Sequence, residues 1–315
     1  MNMRNEHIEG LVAAPFTPMG KRGELNLSII PAYFDLLKAN GVKGAFICGS
    51  TGEGVSLSCA ERMQVAEAWA EATKGDPDFK VMTMLGGTSI TECIDLARHA
   101  RSVGLYAVSF TAPYYFKPGN VQALAESCIA IAEAAPDIWF YYYHIPVLSG
   151  SNFPMLPLLQ AVDGVLPNFA GIKYTHEDFM DYLSCLHFQN GKYDMLWGRD
   201  ECWLAALALG AKGAVGSTYN YAAPVYHQLT AAFQKRDFDE ARRLQQQAND
   251  MIALLGKYGG IATGKAFMKL IGLDCGEFRL PVKNMTDENF RLFSAEAEKI
   301  GFRNFCSRPG ALSKT

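Results

Sequence analysis

Short apolar runs and helical segments alternate along the chain. Eight runs are rich in β-branched and aromatic residues, and each precedes a segment in which apolar residues return every three or four positions. Three of the segments open with a polar residue followed by an acid three positions later, the spacing of a capping box, at Ser58, Ser89 and Thr175. The pattern predicts eight βα units in strict order. The strand-like runs are 11–18, 42–50, 80–87, 106–115, 138–146, 169–176, 194–200 and 213–220.

The strands are predicted to form a parallel sheet covered by helices. They read as continuous apolar runs rather than as alternating ones, which is typical of strands buried on both faces. Eight is the number that closes into an α/β (β/α)8 TIM barrel, with an open doubly wound sheet as the alternative. From about residue 225 onward only helical patterns occur. We therefore expect a barrel over residues 1–224 and an all-helical C-terminal extension over 225–315, packed on the barrel or on a neighbouring subunit. The predicted helices of the extension are 225–235, 237–256, 262–271 and 286–300.

Composition favours a soluble enzyme that acts on small molecules. The chain has 315 residues, 49% of them hydrophobic and 19% charged, with a net charge of −3. It has no cluster of like charge that would indicate nucleic acid or an anionic membrane as partner, and no uninterrupted apolar stretch that would span a bilayer. The first ten residues lack the apolar core of a secretory signal. Eight scattered cysteines without a CxxC pair are typical of reduced thiols, so we expect a cytoplasmic protein.

Polar residues at the carboxyl ends of the predicted strands are the candidates for function. In barrels of this kind the active site is built from those ends. The candidates are 49–53 after the second run, Tyr114 and Tyr115 after the fourth, Tyr143 and His144 in the fifth, Lys173 and Thr175 in the sixth, 198–201 after the seventh and 216–220 in the eighth.

Lys173 is the candidate with the most specific chemical interpretation. It lies within the apolar run FAGIKY, where alternation puts Phe169, Gly171, Lys173 and Thr175 on one side of the strand. If that side faces the barrel interior, the amine loses its hydration and its pKa falls, so that a neutral nucleophile becomes available. Such an amine forms a Schiff base with a ketone and permits cleavage of a carbon–carbon bond. The alternative is a lysine paired with a carboxylate inside the barrel.

Two neighbouring features would complete such a site. Tyr143 could carry a proton to and from a reacting oxygen, although in so aromatic a run it could equally be a packing residue. The turn containing Ser50 and Thr51 offers hydroxyls and backbone N–H groups suited to a carboxylate, although a plain helix entry has the same spacing.

Metal and phosphate sites are less well supported. His144 and His176 lie near strand ends, but no HxH or HExxH spacing accompanies them. Residues 259–265 approach a phosphate loop, but Ala266 stands where a Ser or Thr would hold Mg²⁺ and no strand precedes them. We expect neither a metal nor an organic cofactor.

Six motifs together resemble one enzyme family. GSTGE at 49–53, PYY at 113–115, YHIP at 143–146, GIK at 171–173, GRDE at 198–201 and GAVGSTYN at 213–220 occur in the order seen in the dihydrodipicolinate synthase and N-acetylneuraminate lyase superfamily. The similarity covers roughly residues 8–225. The combination of YHIPVLSG, GRDE and GSTYN resembles the lyase branch.

The resemblance implies a class I aldolase that cleaves N-acetylneuraminate (sialic acid) reversibly to N-acetylmannosamine and pyruvate. It implies Lys173 as the Schiff-base residue, Tyr143 as the proton relay, and Ser50 and Thr51 as the ligands of the pyruvate carboxylate. It also implies Tyr115 as a residue that crosses a subunit contact to join the relay, in a homotetramer. The residues implied to bind the sugar are Thr175, Gly198, Asp200, Glu201 and Ser217.

Two other functions remain open at this stage. A synthase of the same superfamily would carry an arginine five residues after the catalytic tyrosine, where this chain has Leu148, which cannot form the charged pair that a carboxylated aldehyde requires. A barrel that binds keto acids or sialic acid without turnover would be expected to lack the lysine or the tyrosine, and this chain has both.

Overall fold

Eight parallel strands close into a barrel, as the sequence predicts. The computed structural model describes residues 7–310. Neighbouring strands pair in chain order, and the first strand also pairs with the last, so the sheet has no open edge and the doubly wound alternative is wrong. Each strand overlaps one predicted run. The strands are β1 Gly10–Ala13, β2 Gly44–Ile47, β3 Lys80–Met84, β4 Ala107–Phe110, β5 Trp139–His144, β6 Phe169–Tyr174, β7 Asp194–Trp197 and β8 Gly213–Gly216.

Helices follow the strands and surround the barrel. Four of them lie beyond the last strand, and the α9 helix includes the predicted division between residues 224 and 225. Its backbone departs from helical geometry at Ala222, close to Pro224. The helices are α1 Ile30–Ala39, α2 Cys59–Thr73, α3 Ile90–Ser102, α4 Val121–Ala132, α5 Pro146–Ser149, α6 Met155–Val162, α7 Phe179–His187, α8 Trp203–Leu209, α9 Tyr219–Gln234, α10 Phe238–Lys257, α11 Ala262–Leu270 and α12 Asp287–Lys299.

Apolar side chains form two cores. One fills the inside of the barrel, and the larger one lies between the strands and the helices. The C-terminal helices join the larger core, where the ring of Phe267 on α11 stacks on Tyr221 with centroids 4.7 Å apart. No helix in the described part of the chain has the length and apolar character needed to cross a membrane. All eight cysteines are free thiols.

The start of β6 differs from the prediction. The pairing register with β5 shifts by one residue, since Phe140 pairs with Phe169 whereas Tyr141 pairs with Gly171. This β-bulge breaks the alternation of faces. Phe169 therefore packs in the outer core and Ala170 in the inner one, opposite to the prediction, whereas Lys173 still faces inward.

Two helix starts follow the predicted spacing and one does not. Ser58 and Glu61 form a complete capping box, and the Ser89 hydroxyl accepts the N–H of Glu92. Thr175 does not cap α7. The cap is Asp178, whose carboxylate accepts the N–H of Asp181. The prediction used only the spacing between Thr175 and Asp178. It did not consider that Asp178 is itself a good capping residue, which competes with the threonine.

Candidate active site

A polar cavity of about 160 Å³ opens at the carboxyl ends of the strands. Its walls come from most sides of the barrel, including β1, the β2 loop and β5 to β8. The lining residues are Ala14, Thr51, Tyr143, Lys173, Thr175, Gly198, Arg199, Asp200, Glu201, Val215, Gly216 and Ser217. Most of the predicted site residues therefore lie together.

The Lys173 amine lies between two aromatic rings at the floor of this cavity. Its Nζ is 3.8 Å from the ring centroid of Phe46 and 4.1 Å from that of Tyr143, and the residue is 4% exposed. Burial lowers the pKa of Lys173 to about 7, and the charge of Asp200 acts in the opposite direction. Within residues 7–310 no carboxylate pairs with this amine, which argues against the ion-pair interpretation. A large share of the lysine is therefore neutral near pH 7.

Tyr143 lies beside this lysine on the neighbouring strand. The two residues are direct partners in the β5–β6 ladder, and the Tyr143 ring packs edge-on against Phe46 with centroids 5.4 Å apart. Burial raises the pKa of Tyr143 to about 12, while the nearby hydroxyls of Ser50 and Thr175 act in the opposite direction. The phenol is therefore protonated at neutral pH and can pass a proton on rather than act as a standing base.

The turn after β2 brings Ser50 and Thr51 to the mouth of the barrel. The carbonyl of Ser50 accepts the N–H of Glu53, and Gly54 N–H returns to the carbonyl of Gly49. A side chain at position 54 would overlap the Cys48 carbonyl, so glycine is required there. Thr51 lines the cavity, whereas Ser50 is half-buried near Tyr143.

Asp200 also lines the cavity, and Thr218, in the loop after β8, holds its carboxylate in place. One carboxylate oxygen accepts the backbone N–H of Thr218 at 3.0 Å and its hydroxyl at 2.6 Å. The other oxygen, Oδ1, is buried without a partner, next to Gly216. Burial raises the pKa of Asp200 to about 6, partly offset by the Thr218 bonds. An unpaired buried acceptor facing a cavity is a site for a ligand hydroxyl.

Thr175 and Gly198 are packed directly against each other. A side chain at position 198, directly after β7, would overlap the Thr175 hydroxyl. Glycine is therefore needed there for the hydroxyl to occupy its observed position. The Thr175 oxygen is buried and has no hydrogen-bond partner. It is a second unpaired group at the cavity. Ser217 lines the same region and is half-buried.

Arg199 links two acids at the rim of the cavity. Its guanidinium lies 3.4 Å from Glu201 and forms a closer ion pair with Glu177 in the loop after β6. The Nε of this arginine is buried without a partner. Arg199 and Thr218 are among the candidates predicted from the sequence at the ends of the seventh and eighth runs, but neither is assigned a specific role there. Glu177 is not among those candidates.

Tyr115 is a predicted catalytic residue that lies away from the cavity, whereas Ser50, also outside the lining, lies close to Tyr143. It is 76% exposed, next to Phe116, which is 84% exposed. Leu148 is also outside the lining of the cavity and is 60% exposed.

The two histidines near the strand ends lie on a different face. His144 is buried and both of its ring nitrogens lack partners, while the ring of His176 lies 5.6 Å from it. Burial lowers the pKa of His144 to about 3. Within residues 7–310 no three side chains of the ligating types are grouped closely enough to hold a metal ion.

Comparison with known proteins gives a consistent result. The Dihydrodipicolinate synthetase family matches residues 7–300. The N-acetylneuraminate lyase of Rattus norvegicus is 40% identical over 98% of this chain and 97% of its own length, and that of Homo sapiens is 38% identical over 97% and 96%. The solved structure of the Proteus mirabilis N-acetylneuraminate lyase is 39% identical and superposes with a TM-score of 0.91, covering 94% of this chain and all of that one. That of the Aliivibrio salmonicida enzyme has 38% identity and a TM-score of 0.90, over 94% and 98%. The chain therefore belongs to the dihydrodipicolinate synthetase family.

Proposed function

We propose that this protein is an N-acetylneuraminate lyase, a class I aldolase that cleaves N-acetylneuraminate reversibly to N-acetylmannosamine and pyruvate. The observation that carries the proposal is the buried, unpaired amine of Lys173 beside Tyr143 at a polar cavity. The full-length relatives named above support the same activity.

The reaction begins when the neutral Lys173 amine attacks the C2 ketone of the open-chain sugar. Loss of water gives a protonated imine between Nζ and C2. The C3–C4 bond then breaks, its electron pair moves toward the iminium as an enamine, and the C4 hydroxyl loses its proton as the aldehyde of N-acetylmannosamine forms. The enamine takes up a proton at C3, and water hydrolyses the imine to release pyruvate and the free amine.

Tyr143 relays the C4 hydroxyl proton in this scheme. Because its pKa is raised to about 12, the phenol passes on its own proton while accepting that of the substrate. Ser50 and Thr51 bind the carboxylate next to C2. Tyr115, whose side chain is exposed in the single chain, completes the relay from a neighbouring subunit of a homotetramer.

The sugar end is bound by the polar groups on the other side of the cavity. The unpaired oxygens of Asp200 and Thr175 accept or share hydrogen bonds with the polyol. Glu201, Gly198 and Ser217 line the same wall. We place the enzyme in the cytoplasm, and the reaction as written uses neither a metal nor an organic cofactor.

Borohydride trapping tests the proposal. The protein is reduced in the presence of pyruvate and the adduct is located by peptide mass mapping. The expected adduct lies on Lys173, absent in Lys173→Ala and retained in Lys74→Ala, a lysine that is 76% exposed on its side chain. An assay that couples pyruvate release to lactate dehydrogenase then compares N-acetylneuraminate with other 2-keto-3-deoxy acids.

Three results would contradict the proposal. Failure to trap Lys173 would exclude Schiff-base chemistry. Trapping together with a preference for another keto acid would indicate a different aldolase of the family. Binding of sialic acid without pyruvate release would indicate a barrel that recognises the sugar without turnover.

A further inference from the structure

The turn that carries Ser50 and Thr51 has an unusual backbone at its end. Glu53 adopts a left-handed conformation with φ of 56°, which costs energy for a residue with a side chain. Its N–H closes the turn on Ser50, and its carbonyl accepts the N–H of Ser56. The conformation of Glu53 thus helps to set the geometry of a turn in which Thr51 lines the cavity and Ser50 lies near Tyr143.

The Glu53 carboxylate is fixed by residues that follow the barrel in sequence. One oxygen accepts a hydrogen bond from the Lys265 ammonium on α11 at 2.8 Å, and the other accepts the backbone N–H of Arg279 at 2.9 Å. The side chains of the ion pair are 3% and 4% exposed. A buried carboxylate with a charged partner at this distance is a strong restraint, because removal of either partner leaves an uncompensated charge.

Lys265 is itself anchored on its other side. It donates a second hydrogen bond to the Glu277 carbonyl at 2.8 Å, and its ammonium lies 4.6 Å from the centroid of the Phe278 ring. Lys265 does not line the cavity that contains Lys173. Lys265 therefore acts on substrate only indirectly, and its ion pair with Glu53 connects it to the turn that carries Thr51.

We infer that Lys265 is a positioning residue, which through Glu53 holds the Ser50–Thr51 turn in the geometry that receives the substrate carboxylate. The inference rests on the proposed function. It gives the segment after the barrel a part in substrate recognition, and it predicts that loss of Lys265 weakens pyruvate binding more than it slows the chemical step.

Three variants test this inference: Lys265→Met, Lys265→Arg and the double variant Glu53→Gln/Lys265→Met. The measurements are the pyruvate concentration that gives half-maximal borohydride trapping, the trapping rate at saturating pyruvate, and the melting temperature. For Lys265→Met we expect the half-saturating concentration to rise by about tenfold or more, because small displacements of a binding group have large effects, while the saturating rate changes little. Lys265→Arg keeps the charge but places a larger group at a buried site, so its half-saturating concentration should fall between those of the native chain and Lys265→Met.

The double variant separates positioning from stability. It removes both charges, so it should fold even if Lys265→Met does not, and it should still require the raised pyruvate concentration. Asp194→Asn serves as a control at the other end of the barrel, where Asp194 is buried and accepts the hydroxyl of Tyr141 at 2.9 Å. This control is expected to lose melting temperature and to keep native half-saturation.

Two outcomes would overturn the inference alone. One is native half-saturation in Lys265→Met or in the double variant while the native chain is trapped normally. The other is a loss of pyruvate affinity that increases in proportion to the loss of melting temperature in every variant, including Asp194→Asn. If the native chain itself forms no adduct with pyruvate, the proposed function is wrong and the inference that rests on it is wrong too. The native sample, measured beside the variants, therefore distinguishes failure of the function from failure of the inference.

Discussion

The unpaired oxygen of Asp200 lies where Gly216 has no side chain. A Cβ at position 216 would overlap all three atoms of the Asp200 carboxyl group, so the carboxylate can occupy this place only because the residue ending β8 is glycine. The close contact between the Asp200 carboxylate and Gly216 thus shapes one wall of the cavity.

Gly216→Ala is therefore expected to displace the carboxylate and impair cleavage of N-acetylneuraminate. We expect kcat/KM to fall by at least about tenfold, because misplacement of a binding group is costly even when the fold persists. Steady-state kinetics with the lactate dehydrogenase assay measure this. Gly256→Ala is the matched control, since Gly256 lies within α10 with open space where the Cβ would be, and there alanine should stabilise by roughly 0.5–1 kcal/mol. Equal kinetics for the two variants would show that Asp200 does not bind substrate.

Lys173→Met should abolish turnover and change the pH dependence of stability. The folded-state pKa of about 7 is below the ordinary value of 10.5, so the folded protein binds the proton more weakly than the unfolded chain. The stability cost of this lysine is complete below pH 7 and disappears as the pH rises from 7 to 10.5. The advantage of the methionine variant in denaturant unfolding should therefore be largest at pH 6 and shrink toward pH 10. A constant difference across this range would mean that the amine is not desolvated.

The pH dependence of pyruvate trapping should move when Asp200 is neutralised. Trapping requires the neutral amine, so its rate is expected to fall as the pH drops through about 7. The charge of Asp200 raises the pKa of Lys173. In Asp200→Asn that contribution is removed, and the acid limb should shift to lower pH. An unshifted limb, or one displaced upward, would contradict the electrostatic coupling between these residues.

Arg199→Met is expected to weaken binding of the sugar while leaving pyruvate trapping unchanged. The guanidinium restrains Glu177 and Glu201, and a partly exposed ion pair contributes up to about 1 kcal/mol, so KM for N-acetylneuraminate should rise by roughly fivefold or less. Arg242→Met, which removes an exposed ion pair with Asp239 on α10, is the control. A comparable loss in the trapping assay would mean that Arg199 acts on the lysine side of the cavity instead.

The fold could be predicted from the sequence because continuous apolar runs and helical segments alternate without exception through β8. Local detail was less accessible. The alternation of faces failed at Phe169 and Ala170, since a β-bulge depends on pairing with β5 and leaves no trace in hydrophobic periodicity. Thr175 was assigned to a helix cap for a similar reason, because spacing alone does not decide between competing caps.

The candidate site was predictable to the extent that strand ends converge. Lys173, Tyr143, Thr51 and Asp200 meet at one cavity because they follow, or end, neighbouring strands. The role of Arg199 was not accessible, because its contacts with Glu177 join two loops whose conformations are not encoded in periodicity. Tyr115 lies outside the cavity and is exposed on the surface of the chain, a position that strand-end reasoning does not predict.

The anchoring of Glu53 by Lys265 and Arg279 has a consequence for how the enzyme is made. All eight strands precede residue 265 in the chain, so they are synthesised before either of the groups that hold Glu53. Catalytic competence should thus arise late in synthesis, because a chain that ends before residue 265 lacks both groups that hold Glu53.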